Sequence, residues 1–190
     1  MSKRILFNLP NVLTYLRIAA VPAVVVCFYF PGHTARWVAL AIFALAAITD
    51  FFDGYLARAW QQQSALGRML DPIADKLLVS VCLLVLTWRG TIGDISVIAA
   101  LIILCREILV SGLREFLAEL RVSVPVTKLA KWKTTLQLLA LGFLLAGPAG
   151  DAVLPYTSQI GVALLWGAAI LTLYTGYDYF RAGIGHLLKS

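Results

Sequence analysis

The chain has 190 residues, 61% of them hydrophobic and only 14% charged, with a formal net charge of +6. A soluble domain usually carries about 25% charged and 45–50% apolar residues, so this composition excludes an ordinary soluble globular domain. The excess apolar residues lie in long runs, and the basic residues cluster on one side of those runs, so the positive charge reads as topology and contact with anionic lipid, with no nucleic acid expected. No internal repeat, low-complexity tract or polar linker divides the chain, and residues 1–190 read as a single domain.

A membrane-crossing helix needs about 20 mostly apolar residues. Six segments approach or meet that length: Leu9 to Phe30, Ala35 to Ala57, Met69 to Trp88, Ile95 to Leu117, Leu129 to Ala146 and Ala152 to Phe180. The expected fold is therefore all-α, an integral membrane protein of six transmembrane helices. Lys3 and Arg4 precede the first segment as in a signal peptide, but the run is long and contains Asn11, Thr14 and Arg17. It reads as a retained first helix, with Ile5, Leu6 and Phe7 at the interface before Pro10. Pro31-Gly32, Arg89-Gly90 and Gly147-Pro148-Ala149-Gly150 mark three of the breaks.

Orientation follows from the basic residues. With six spans both termini share a side, and that side receives Lys3, Arg4, Arg58, Arg68, Arg114, Arg121, Lys128, Lys131, Lys133, Arg181 and Lys189. The opposite loops hold Arg36 and Arg89. Both termini are thus expected in the cytoplasm. Arg17, Lys76 and Arg106 fall inside spans and require partners there. Cys27, Cys82 and Cys105 sit singly in apolar runs and read as small hydrophobic residues. His33 and His186 fall on opposite sides, which excludes a shared metal site.

Four acids stand out. A charged side chain near the bilayer centre costs about 2.5–3.5 kcal/mol on insertion scales, so intramembrane acids point to function. Asp50, Asp53, Asp71 and Asp75 lie in two consecutive spans. Asp50 is eight residues before Arg58, roughly 12 Å along the helix from its cytoplasmic end, and Asp75, seven after Arg68, is roughly 10 Å in. The helices run oppositely, so the acids meet at one level. Spacings of three and four put each pair on one helical face. Gly54 and Gly67 leave gaps beside them where a ligand or backbone can approach. Two carboxylates 5 Å apart repel by about 3 kcal/mol at an effective dielectric near 20. Divalent cations relieve this, and all-oxygen ligands suit Mg²⁺ or Mn²⁺, so a two-metal site is expected. Taken singly, Asp71-Pro72 also reads as a helix N-cap with proline in the first turn. Asp53 with Arg58 also reads as an ion pair at a helix end.

The string Asp50-x2-Asp53-Gly54-x2-Ala57-Arg58-x8-Gly67-x3-Asp71-x3-Asp75 resembles the signature of the CDP-alcohol phosphatidyltransferase family, with every position filled. Asn11, Thr14 and Arg17, the run from Arg106 to Glu115, and Lys131 to Thr135 resemble a bacterial branch of it. The resemblance implies two divalent ions on Asp50, Asp53, Asp71 and Asp75, with Asp75 also the general base. It implies a CDP-lipid site of Asn11, Thr14, Arg17, Asp53, Gly54, Ala57, Arg58 and Gly67, with Arg58 near the diphosphate. It further implies a homodimer in the bacterial inner membrane, with a polar cavity open to the cytoplasm. The substrates implied are CDP-diacylglycerol and glycerol 3-phosphate, among membrane lipids.

The acceptor follows from charge. Arg106, eight residues before Arg114, lies roughly 12 Å deeper on its helix, level with the aspartates. With Arg114, Lys131 and Lys133 it makes a basic pocket suited to an anionic, phosphorylated acceptor. Glycerol 3-phosphate or inositol phosphate fits; phosphatidylglycerol or serine defines sibling reactions. A divalent-cation transporter would need polar residues through the full membrane depth. Val38 to Ala47 and Leu77 to Leu86 offer only Ser80.

Overall fold

The computed structural model describes residues 9–59, 65–120 and 128–187. Within them the chain forms six helices and no strand: α1 Leu9–Cys27, α2 His33–Ala59, α3 Ala65–Trp88, α4 Ser96–Glu119, α5 Lys128–Asp151 and α6 Thr157–Leu187. Ser96–Glu119 and Thr157–Arg181 are long and apolar enough to cross a membrane, with mean hydropathies of 2.1 and 1.5. Asn11–Cys27 is apolar but shorter. Helices α2, α3 and α5 are as long, at 27, 24 and 24 residues, but carry more charge. Helix α3 has Arg68, Asp71, Asp75 and Lys76 in its first half, and α2 has Arg36 at its start and Asp50, Asp53 and Arg58 in its second half. Helix α5 has three lysines in its first six residues and Asp151 at its end.

The helices close into a ring. Helix α1 packs on α2 and α3, α3 on α4, α4 on α6, α6 on α5, and α5 returns to α2; α3 and α5 also touch across the middle. Leu83, Leu86, Ile103, Leu141, Leu144, Leu145 and Leu165 are fully buried in this core. The tightest seam is α5 against α6, where a Cβ on Gly161 would stand 2.9 Å from the Leu144 side chain. Small residues allow such close approach where lipid supplies no hydrophobic drive between helices. Outside the ring, Ile98, Leu101, Ile108 and Leu109 of α4 and Ile170 and Leu173 of α6 are exposed.

The expected breaks at Pro31-Gly32 and Arg89-Gly90 fall between helices. Gly90 takes φ 67° after α3. The Thr91 amide donates back to the Leu86 carbonyl at 2.9 Å, the glycine-dependent C-terminal stop. Gly147-Pro148 behaves differently. The sequence reads it as the end of a span, and the helical backbone is interrupted there, at Gly147 with φ 44° and ψ −128°, before a last helical turn runs on to Asp151. Pro148 has no amide hydrogen for the Leu144 carbonyl. Arg36 from the start of α2 supplies the missing donor: its Nη1 lies 3.4 Å from the Leu144 and Leu145 oxygens, while Nη2 donates to Thr91 Oγ1 at 2.9 Å. Arg36, counted above only as a loop charge, thus ties α2 to the kink and to the α3–α4 turn.

Helix α3 begins at Ala65, so Asp71 lies well inside it. The N-cap reading of Asp71-Pro72 is therefore incorrect, because the helix starts almost two turns earlier.

Candidate active site

One face of α1 organises the acids. Thr14 and Arg17 are three residues apart, hence one turn apart on a shared face, and both are buried at about 1% exposure. Thr14 Oγ1 donates to Asp71 Oδ1 at 2.5 Å, and Arg17 Nη1 donates to Asp75 Oδ1 at 2.9 Å. The two contacts advance together along both chains, so α1 and α3 run parallel. From α2, Asp50 Oδ1 reaches the same Arg17 Nη1 at 2.8 Å. The Asp50 and Asp75 oxygens can thus be no farther apart than the sum of those two distances. Asp50 of α2 and Asp75 of α3 meet at one level of the ring, around Arg17.

Asp53, Gly54, Ala57 and Arg58 lie on α2 in the stretch 51–59, whose side chains fall outside the described residues. Gly67 is buried on α3. Asn11 is buried on α1, 2% exposed. Among the described residues no group of three or more His, Cys, Asp or Glu is gathered closely enough to hold a metal ion. The donors that are described still fit a hard cation. Asp50 and Asp75 offer only oxygen, are 43% and 47% exposed, and already hold a positive charge, the Arg17 guanidinium, between them.

Both carboxylates open into a cavity of about 400 Å³ inside the ring, to which all six helices contribute. Arg17, Asp50, Asp75 and Lys76 line one part; Arg106, Glu107 and Arg114 of α4, Lys133, Thr134 and Gln137 of α5, and Tyr179 of α6 line another. Of the four expected acceptor cations, Arg106, Arg114 and Lys133 are on this wall. Lys131 is exposed and not among the lining residues.

The three charges that needed a reason inside spans each have one. Arg17 joins Asp50 and Asp75. Lys76 donates to Ser111 of α4. Arg106 Nη1 stands 3.5 Å from Glu107 Oε1, its Nη2 donates to Thr175 Oγ1 at 3.3 Å, and its guanidinium carbon is 6.0 Å from the Tyr179 ring centre. Helix α6 passes close enough that a Cβ on Gly176 would sit 3.2 Å from Arg106 Cγ.

Sequence reasoning missed the role of Glu107. Its Oε1 accepts from Lys133, whose side chain is 5% exposed. The wall is thus a carboxylate paired with Lys133 and Arg106, with Arg114 also lining it, not a purely basic pocket. Glu107→Gln leaves Lys133 buried without its counter-charge, and removing one member of a buried pair is costly. The expected loss is about 3 kcal/mol of stability, read as a lower unfolding midpoint of the purified protein in detergent.

The sequence model of the CDP-alcohol phosphatidyltransferase family matches residues 7–174. The chain belongs to that family. It is 51% identical to a Rickettsia bellii protein over 92% of this chain and 94% of that one. It is 43% identical to a Salmonella typhimurium protein over 97% and 99%, and 42% identical to a Cereibacter sphaeroides protein over 95% and 97%. All three relatives are named CDP-diacylglycerol–glycerol-3-phosphate 3-phosphatidyltransferase.

Proposed function

We propose that this chain transfers the phosphatidyl group of CDP-diacylglycerol to glycerol 3-phosphate, giving phosphatidylglycerophosphate and CMP. The observation that carries the reading is a single cavity shared by the Asp50–Asp75 pair and by Arg106, Arg114 and Lys133. The relatives' shared name supports it.

In this reading the acceptor's phosphate rests on the cationic wall, where guanidinium forks suit its oxygens. Its free hydroxyl then faces the aspartates. Asp75 accepts the hydroxyl proton as the new oxygen–phosphorus bond forms and the bond to CMP breaks. Asp50, Asp53, Asp71 and Asp75 would hold Mg²⁺ or Mn²⁺, which when bound would neutralise charge on the diphosphate and orient the attack. Thr14 and Arg17 fix Asp71 and Asp75 from the side of α1, and Arg17 also limits the repulsion between Asp50 and Asp75. The nucleotide head would lie along α2 beside Gly54, Ala57 and Arg58, with the acyl chains left in the bilayer.

All six helices would span the bacterial inner membrane, with the termini and the cavity on the cytoplasmic side. Support comes from the exposed apolar faces of α4 and α6. The sequence puts most basic residues in segments on one side of the six expected spans, leaving Arg36 and Arg89 on the other.

The test is CMP release by the purified protein from CDP-diacylglycerol and Mg²⁺, with single acceptors in turn. Release with glycerol 3-phosphate, and not with serine, inositol phosphate or phosphatidylglycerol, is expected; release with only one of the others would overturn the acceptor assignment. Arg106→Ala is expected to raise the KM for glycerol 3-phosphate roughly 10- to 100-fold, the worth of a charged hydrogen bond, with a much smaller change for CDP-diacylglycerol. Initial-rate kinetics with each substrate varied would check it.

A further inference from the structure

Gln137 stands one turn beyond Lys133 on α5, on the same face. Its side chain is 3% exposed and lines the cavity, and its Oε1 has no hydrogen-bond partner among the described residues. Buried polar atoms are almost always paired, and an exception in a cavity wall marks a place where a ligand can complete the pairing. Arg106 Nε is a second such atom on this wall, a donor where Gln137 Oε1 is an acceptor. Of the cations beside it on the wall, Lys133 pairs with Glu107, and the terminal nitrogens of Arg106 reach Glu107 and Thr175. Gln137 is thus a neutral, unpaired acceptor on a wall whose carboxylate, Glu107, is already engaged by Lys133 and Arg106.

Glycerol 3-phosphate brings a phosphate, a hydroxyl that attacks, and a second hydroxyl on the central carbon. The cations suit the first and the aspartates the second. We propose that Gln137 is a specificity-determining residue whose amide oxygen accepts a hydrogen bond from the acceptor's central, non-reacting hydroxyl. The inference rests on the acceptor site described above. An amide suits this task because it stays neutral, and its NH₂ end can donate to a nearby anionic oxygen while its carbonyl accepts. A site built to bond a hydroxyl rejects the analogue that lacks it, because the buried acceptor is then left unpaired.

The test compares kcat/KM for glycerol 3-phosphate and for 3-hydroxypropyl phosphate, which keeps the phosphate and a primary hydroxyl but lacks the central one. The wild-type protein is expected to prefer glycerol 3-phosphate roughly 10- to 100-fold, the range for one unpaired buried acceptor. Gln137→Met, which fills similar volume without a polar atom, is expected to bring the two values within about threefold of each other. A purely structural role would lower both values together and leave their ratio unchanged. An unchanged ratio in Gln137→Met, or equal use of both acceptors by the wild type, would overturn the assignment. Absence of CMP release from the wild type with either acceptor would overturn the reaction itself, and this inference with it.

Discussion

Asp75→Asn is expected to lower CMP release about a thousandfold, within the 10²–10⁴ range for a positioned proton acceptor, while CDP-diacylglycerol still binds. The asparagine keeps the shape and an oxygen that Arg17 Nη1 can reach, now 2.9 Å from Asp75 Oδ1. It cannot take the hydroxyl's proton. The side chain is half exposed to the cavity, so an acceptor can approach it, and Arg17 behind it holds it in place. Asp50→Asn is the informative contrast. It shares the same guanidinium nitrogen, but its expected effect is a higher Mg²⁺ requirement, with turnover partly restored at high Mg²⁺. Single-turnover CMP release across a Mg²⁺ titration separates the two. Full turnover in Asp75→Asn would assign the proton to another group.

An effect on stability as large as that of Glu107→Gln is expected far from the aspartates, at Gly147. Its φ of 44° with ψ −128° belongs to a backbone region almost confined to glycine. An added Cβ would lie 2.4 Å from Arg36 Nη1. The arginine could swing away, but only by abandoning the Leu144 and Leu145 carbonyls and the Thr91 hydroxyl. Backbone strain of 1–3 kcal/mol and the lost hydrogen bonds together give an expected destabilisation of about 3 kcal/mol for Gly147→Ala. Thermal unfolding in detergent should show a midpoint lower by on the order of 10 °C. Arg36→Met should reproduce much of the loss without touching the glycine. A normal midpoint in both variants would mean that the kink does not depend on this contact.

These two positions show what a sequence can and cannot announce. Asp50, Asp71 and Asp75 were legible because a carboxylate in an apolar run is costly, and helical rise alone brings opposed helices to one depth. Their partners were not. Thr14 is 57 positions from Asp71, and periodicity gives a face without saying which helix covers it. Gly147-Pro148 carries every mark of a helix end. The helix does break there, but the chain turns helical again to Asp151, and Arg36, more than a hundred positions away, takes up the carbonyls the proline strands. Gln137 did leave a signal: an amide four residues after Lys133, on its face, within an otherwise apolar run. Tyr179 and Glu107 left less, since a tyrosine near a span end and an acid beside an arginine have common structural uses. The order of helices around the ring was not legible, because six apolar stripes of similar composition do not name their neighbours.

The claim on which the mechanism depends is that the Asp50–Asp75 pair, now bridged by Arg17, is a seat for divalent cations. The most direct measurement is Mn²⁺ binding to the purified protein, followed by electron paramagnetic resonance, in the wild type and in the Asp50→Asn/Asp75→Asn double variant. Saturable Mn²⁺ binding that Mg²⁺ displaces, weakened at least about tenfold in the double variant, is the predicted result. Equal Mn²⁺ binding by both proteins, or none by the wild type, would contradict it.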